Sequence, residues 1–215
     1  PAADMAPRIP RAGDALRHHW PEYLIEGWAL GMFMISAGIF ATLLDFPGSG
    51  VHQSIADGDV RRLIGGIAMG LTAIALIYSP WGQRSGAHMN PAVTLTFLRL
   101  GKIKGWDALF YMVAQFVGGI IGVYVVLAFA GSAFSAAPVE FATTRPGPQG
   151  VSIAFAAEFA ISFGLMLVVL IVSMTIAKLW GIGWGSLALV TLGLTYLEVG
   201  APRWVWLALL VGEAI

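Results

Sequence analysis

Ser85-Gly86-Ala87-His88-Met89-Asn90-Pro91-Ala92-Val93-Thr94-Leu95 is the stretch of this chain whose residue types and order can do chemistry. A polar, glycine-containing loop turns there into a short apolar helix. Asn90 is a favoured N-cap, and Pro91 suits the first helical position, where its missing N–H would be unpaired in any case. The apolar run 91–98 is about 12 Å long at the helical rise, under half of a bilayer's hydrocarbon core. Such a segment cannot span. A helix that starts in mid-membrane leaves backbone groups unpaired, which is tolerated only where it packs in protein or lines a water-filled cavity. The pattern points to a pore. Asn90 would offer amide donors to it, and the helix N-terminus a partial positive charge. Water crosses such a lining by exchanging hydrogen bonds, while cations and protons are repelled. The plainer reading is that Asn90 only caps a helix.

Either reading needs membrane spans around the loop, and the composition supplies them. The 215 residues are 58% hydrophobic and 11% charged, with a mean hydropathy of +0.79. Ordinary soluble domains carry about 25% charged residues, so a soluble domain is a poor explanation. Residues 23–44 contain one charge, Glu26, and 151–177 contain only Glu158. Stretches 63–79, 108–135 and 179–197 contain none. Each is near or above the roughly 17–25 residues that cross a bilayer. The formal net charge is +0, which gives no electrostatic case for nucleic acid. With no cysteine there is neither a disulfide nor a thiolate metal site. The first residues are polar and basic without the apolar core of a signal peptide, so the first span is expected to direct its own insertion.

The loops alternate in charge. Arg8, Arg11, Arg17, Arg84, Arg99, Lys102, Lys104 and Lys178 fall on one side, eight of the twelve Lys and Arg. Arg61, Arg62, Arg145 and Arg203 fall on the other. Cytoplasmic loops carry the excess, which predicts a cytoplasmic N-terminus and a loop entering from that face. The division predicted is a cytoplasmic tail at 1–19, a first repeat at 20–130, an extracellular connection at 131–150 and a second repeat at 151–215. Segment 46–59 reads as a further extracellular loop. Span one with Glu26, span two and the loop are followed by span three; span four with Glu158 and span five restart the pattern. Repeats of opposite topology with discontinuous helices at their interface are a recurring channel and transporter plan.

The string SGAHMNPAVT resembles the signature of the aquaporin and aquaglyceroporin (major intrinsic protein) family. Gly66, Gly70 and Leu71, Ala114-Gln115 with Gly118 and Gly119, and the two glutamates extend the likeness over residues 20–202. The resemblance implies an all-α integral membrane protein. Its architecture would be a right-handed bundle of six transmembrane helices with re-entrant half-helices in an inverted repeat, the sixth helix incomplete here. It also implies a passive channel, a homotetramer in the plasma membrane, water or small neutral solutes as the molecules carried, and neither cofactor nor covalent chemistry. Gly86, Ala87 and His88 resemble the positions whose backbone carbonyls form an acceptor ladder leading to Asn90, with Pro91 and Ala92 completing the lining. The His88 side chain is expected to be a structural hydrogen-bonding group, since no second His or carboxylate stands at metal-ligand spacing.

The second repeat departs from the family. Glu198-Val199-Gly200-Ala201-Pro202 resembles the approach to a second loop, but the chain runs on as Arg203-Trp204-Val205-Trp206, with no second NPA. A half-built re-entrant pore would leave Asn90 facing a gap, so we expect residues to be missing between Pro202 and Arg203 and after Ile215. Arg203 is therefore not taken as the filter arginine. By resemblance Met69 and Leu197 fill two filter positions. Both are wider and more apolar than the aromatic and histidine of water-selective members, which leans toward small solutes such as glycerol.

An acid inside a membrane span is by default a functional-site hypothesis. Glu26 and Glu158 admit a proton relay, or a plainer role in which each carboxylate accepts N–H bonds from a re-entrant loop; the resemblance favours the plainer role. Gly118, Gly119 and Gly122, with Gly65, Gly66 and Gly70, are expected to allow close helix contacts. Trp20, Trp81, Trp106 and Trp180 are expected at the membrane interfaces. Rival readings are a non-conducting junctional protein of the same fold and a membrane enzyme or ion-coupled transporter. No nucleophile–base pair in the spans supports the latter.

Overall fold

The first helix, α1, runs without a break from Ala12–Asp45 in the computed structural model, which describes residues 11–143, 146 and 149–171. Its 34 residues reach about 51 Å, well beyond a hydrocarbon core of about 30 Å. Residues 12–19, expected as tail, are therefore the polar start of this helix. A short helix α2 (Gly50–Ser54) follows, capped by the Ser49 hydroxyl on the Val51 N–H. Asp57 then caps α3 (Gly58–Tyr78) by accepting from Asp59 and Val60. Ser79 ends α3 and caps α4 (Pro80–Ser85), with Pro80 at its first turn.

The half-helix is α5 (Pro91–Arg99), and α6 (Gly105–Ala130) is the next long helix. The charge-free stretch 108–135 runs past this helix, which stops at Ala130, where the connection was expected to begin. Gly131 takes φ 54°, in the region L side chains avoid, and a separate turn α7 (Ser132–Ser135) follows. A 3₁₀ turn (Glu140–Ala142) leads to α8 (Val151–Ile171). Every regular element among the described residues is helical, and four helices are long and apolar enough to cross a membrane. The fifth expected span at 179–197, together with Trp180, Leu197, Pro202 and Arg203, lies outside the described residues.

Residue pairing gives the helix directions. Tyr23 bonds Asp107, Gly27 lies on Ala114, Gly31 on Gly118 and Gly38 on Val126, so α1 and α6 run parallel. Leu44 meets Gly65, Ser36 meets Thr72 and Trp28 meets Trp81, so α3, with α4 beyond it, returns antiparallel to α1. Small residues set the α1–α6 contact. A Cβ built on Gly118 would collide with the Gly27 carbonyl, and one on Gly122 with the Gly31 carbonyl. Gly27 and Gly31 face Gly118 and Gly122 at four-residue spacing, the small-residue pattern by which membrane helices approach closely. Gly27 and Gly31 were not singled out in the sequence, although Gly118 and Gly122 were. A cluster of Ala29, Phe33, Ala73, Leu76, Ile77 and Met89 fills the space where α1, α3 and the loop meet.

Gly118→Ala should destabilise the protein by about 1–3 kcal/mol, the usual cost of forcing a methyl into a packed contact. Gly119→Ala, one residue on, meets the Leu30 and Met34 side chains at 3.6 and 3.9 Å, ordinary contact distances, and should be nearly neutral. Thermal unfolding of the two purified variants in detergent distinguishes them; equal midpoints would show that the backbone contact does not set the helix spacing.

Candidate pore-lining site

Between α4 and α5 the chain makes a tight, left-handed turn. Gly86, Ala87 and Met89 have φ of 91°, 48° and 47°. For alanine and methionine this conformation costs of order 1–3 kcal/mol each and persists only where the surroundings hold it. The Glu26 carboxylate, fully buried on α1, provides that hold. Its Oε1 accepts the His88 N–H at 3.0 Å and its Oε2 the Met89 N–H at 2.8 Å.

A second layer fixes the carboxylate. Gln115 on α6 donates Nε2 to Glu26 Oε2 at 2.9 Å and to Thr94 Oγ1 at 3.1 Å. Thr94 Oγ1 also meets His88 Nδ1 at 3.1 Å. Glu26, Gln115 and Thr94 all have 0% exposure, so the network is sealed from solvent. The upstream end of the loop is pinned as well: Tyr111 donates to the Ser85 carbonyl at 2.7 Å, and the Ser85 hydroxyl accepts the Ala87 N–H at 3.2 Å. The Tyr111 ring lies edge-on to both His88 and Tyr23. Tyr23 in turn donates to Asp107 at 2.6 Å, which also takes the His19 ring nitrogen at 2.8 Å. Arg84 pairs with Glu22 at 2.9 Å across the same end of the bundle.

At the downstream end Asn90 Oδ1 accepts the Ala92 N–H at 2.7 Å, and Pro91 opens a helix of nine residues. Gly86, Ala87, His88, Asn90, Pro91 and Ala92 thus form one continuous turn. Gly86 and Ala92 are exposed, and the other four are half-buried. Met69 on α3 packs against the apolar cluster that contains Met89, which puts it beside the loop. Glu158 stands half-buried in α8. The second loop it was expected to support, and Leu197, lie outside the described residues. His88 bonds Thr94 and sits between the rings of Phe97 and Tyr111. Among the described residues no group of three His, Cys, Asp or Glu could hold a metal.

Tyr111 was missed in the sequence, and Thr94 and Gln115 entered only as parts of the residues that carry the resemblance. A signal existed for Gln115, an amide inside a charge-free span that must find a partner there.

The sequence profile described as Major intrinsic protein matches residues 20–201. The chain belongs to the major intrinsic protein family. It is 32% identical over 167 residues to Aquaporin NIP2-3 of Zea mays, covering 75% of this chain and 53% of that protein. Against Probable aquaporin AqpM of Archaeoglobus fulgidus it is 39% identical over 106 residues, 49% of this chain and 42% of the relative. Against Glycerol uptake facilitator protein-like 6 of Lactiplantibacillus plantarum it is 34% identical over 116 residues, 54% and 52% of the two chains. The chain spans about half the length of the curated relatives it matches. As a member of the major intrinsic protein family with four apolar helices, it is a multi-pass, all-helical membrane protein.

In this family member Glu26→Gln should lower thermal stability by about 1–3 kcal/mol, because a glutamine has one acceptor oxygen for two loop donors. The bonds that remain are also weaker than charge-assisted ones. Folded yield should fall more than any transport per folded molecule. A proton-driven uptake that vanished in Glu26→Gln with yield intact would restore the relay reading.

Proposed function

We propose that the intact protein is a passive channel for water and small neutral solutes such as glycerol, and that it excludes ions and protons. One observation carries the reading. A half-helix whose N-terminus begins at Asn90 is held among membrane-spanning helices by Glu26, with Gly86 and Ala92 exposed on the turn. Backbone laid out this way is tolerated at membrane depth where it lines a water-filled cavity. The α5 dipole puts positive potential at the turn, which opposes cations, while water trades hydrogen bonds with carbonyls and the Asn90 amide. The printed names of the relatives, aquaporins and a glycerol uptake facilitator, support the same class.

Gly86, Ala87, His88, Asn90, Pro91 and Ala92 are the proposed lining, with Met69 and Leu197 at the filter and Glu26 and Glu158 supporting the two loops. Met69 offers no hydrogen bond and less bulk than an aromatic ring, so a solute with a carbon face can rest there. The reading includes a homotetramer in the plasma membrane with a cytoplasmic N-terminus, and it requires neither cofactor nor catalytic group.

Vesicles containing the intact protein should shrink in an osmotic gradient faster than empty ones, with a low activation energy. Unchanged shrinkage with folded protein present would favour the junctional reading. Labelled glycerol should enter measurably, and Met69→Phe should reduce glycerol flux more than water flux. Glycerol uptake equal to that of protein-free vesicles, beside normal water flux, would leave strict water selectivity.

A further inference from the structure

The turn that joins α5 to α6 gathers three cations that the pore does not use. Arg99, Lys102 and Lys104 are all exposed, and none of the ion pairs among the described residues involves them. The backbone that carries them is fixed. Gly101 sits at φ 67° after the helix, the Lys102 N–H bonds the Phe97 carbonyl at 2.9 Å, and the Gly101 N–H bonds the Leu98 carbonyl at 3.0 Å. This is the paired closure of a Schellman C-cap, so the helix end and the first lysine are held in one geometry. The nearest acid along the chain, Asp107, is buried under Tyr23 and His19 and does not pair with the three cations.

Apolar side chains border the charges. Leu100, Trp106 and Leu109 are 43%, 42% and 43% exposed. The bonds of Asp107 to α1 and of Glu22 to Arg84 place this turn at the end of the bundle where α4 meets the loop. There the apolar helices emerge from the hydrocarbon. The bias of cations toward one membrane face explains on which side they lie. It does not explain three of them in one rigid turn, edged by an aliphatic and an aromatic side chain.

We infer that the 99–104 turn binds the anionic headgroup of a membrane phospholipid, with Leu100 and Trp106 against the first carbons of its acyl chains. The charge complementarity selects the headgroup, and the exposed apolar rim selects a lipid over a free anion. Such binding fixes the C-terminal end of the half-helix whose other end is capped by Asn90. The inference requires that the chain lie in a bilayer and not that it conduct, so it stands or falls apart from the channel reading.

The test is thermal unfolding of the intact protein in neutral detergent, titrated with phosphatidylglycerol or with phosphatidylcholine of the same acyl chains. Phosphatidylglycerol should raise the midpoint at concentrations where phosphatidylcholine does not. Each basic residue near an anionic surface contributes enough for roughly a fivefold change in affinity. The half-effective concentration should therefore rise about fivefold in each of Arg99→Gln, Lys102→Gln and Lys104→Gln. Arg62→Gln, at the opposite end of the bundle, should leave it unchanged. Inorganic phosphate should not substitute for the lipid. In the unaltered protein the preference should disappear as ionic strength approaches 1 M, where the Debye length is about 3 Å. Equal responses to the two lipids, a preference that survives high salt, or stabilisation by phosphate alone would each overturn the inference.

Discussion

Backbone N–H groups buried among apolar helices have no water to bond, and this protein brings a loop of them there. The Glu26 carboxylate answers that constraint by taking two consecutive donors, those of His88 and Met89, on its two oxygens. Because both bonds end on one rigid group, they fix the left-handed turn at Ala87 and Met89 as well as satisfying its donors. The direction in which α5 leaves the loop, and so the position of its positive end, follows from that turn. A charge buried at 0% exposure is tolerable because three donors surround it, two from the backbone and one from Gln115.

The reach of Glu26 and Gln115 toward each other depends in turn on how closely α1 and α6 approach. Gly27 and Gly31, one and five residues beyond Glu26, bring the two backbones into contact against Ala114, Gly118 and Gly122. Larger side chains there would lengthen the 2.9 Å bond between Gln115 and Glu26. The stripe of small residues is thus tied to the polar network, and the network to the loop. At the other end of the same helix pair, Tyr23 and Asp107 close the register.

Much of this was legible because the determining residues are local. Asn90 followed by Pro91 marks a helix start wherever it occurs, and the short apolar run after it sets a length that cannot span. Glu26 was legible as an acid in a span that must find donors. That its donors are N–H groups of the re-entrant loop followed from the resemblance; which residues supply them, and that Gln115 joins them, did not, because His88, Met89 and Gln115 lie 62, 63 and 89 residues away. Tyr111 was hidden in the same way, since its partner Ser85 lies 26 residues away on another element. The start of α1 at Ala12 was missed because residues 12–22 are polar, and hydropathy reports burial in lipid, not helicity.

In the proposed channel the turn from Gly86 to Ala92 faces an aqueous path across the membrane. None of the 215 residues is a cysteine, so a single cysteine placed in the turn is the one thiol among them. The most direct measurement is the reaction of Ala92→Cys, on the exposed side of the turn, with a small membrane-impermeant thiol reagent while water flux is followed. Ala29→Cys, at 0% exposure in the cluster behind the loop, serves as the comparison. Ala92→Cys should react and lose water flux, while Ala29→Cys should neither react nor change. A folded Ala92→Cys protein that stays unmodified, or that is modified with its flux intact, would contradict it.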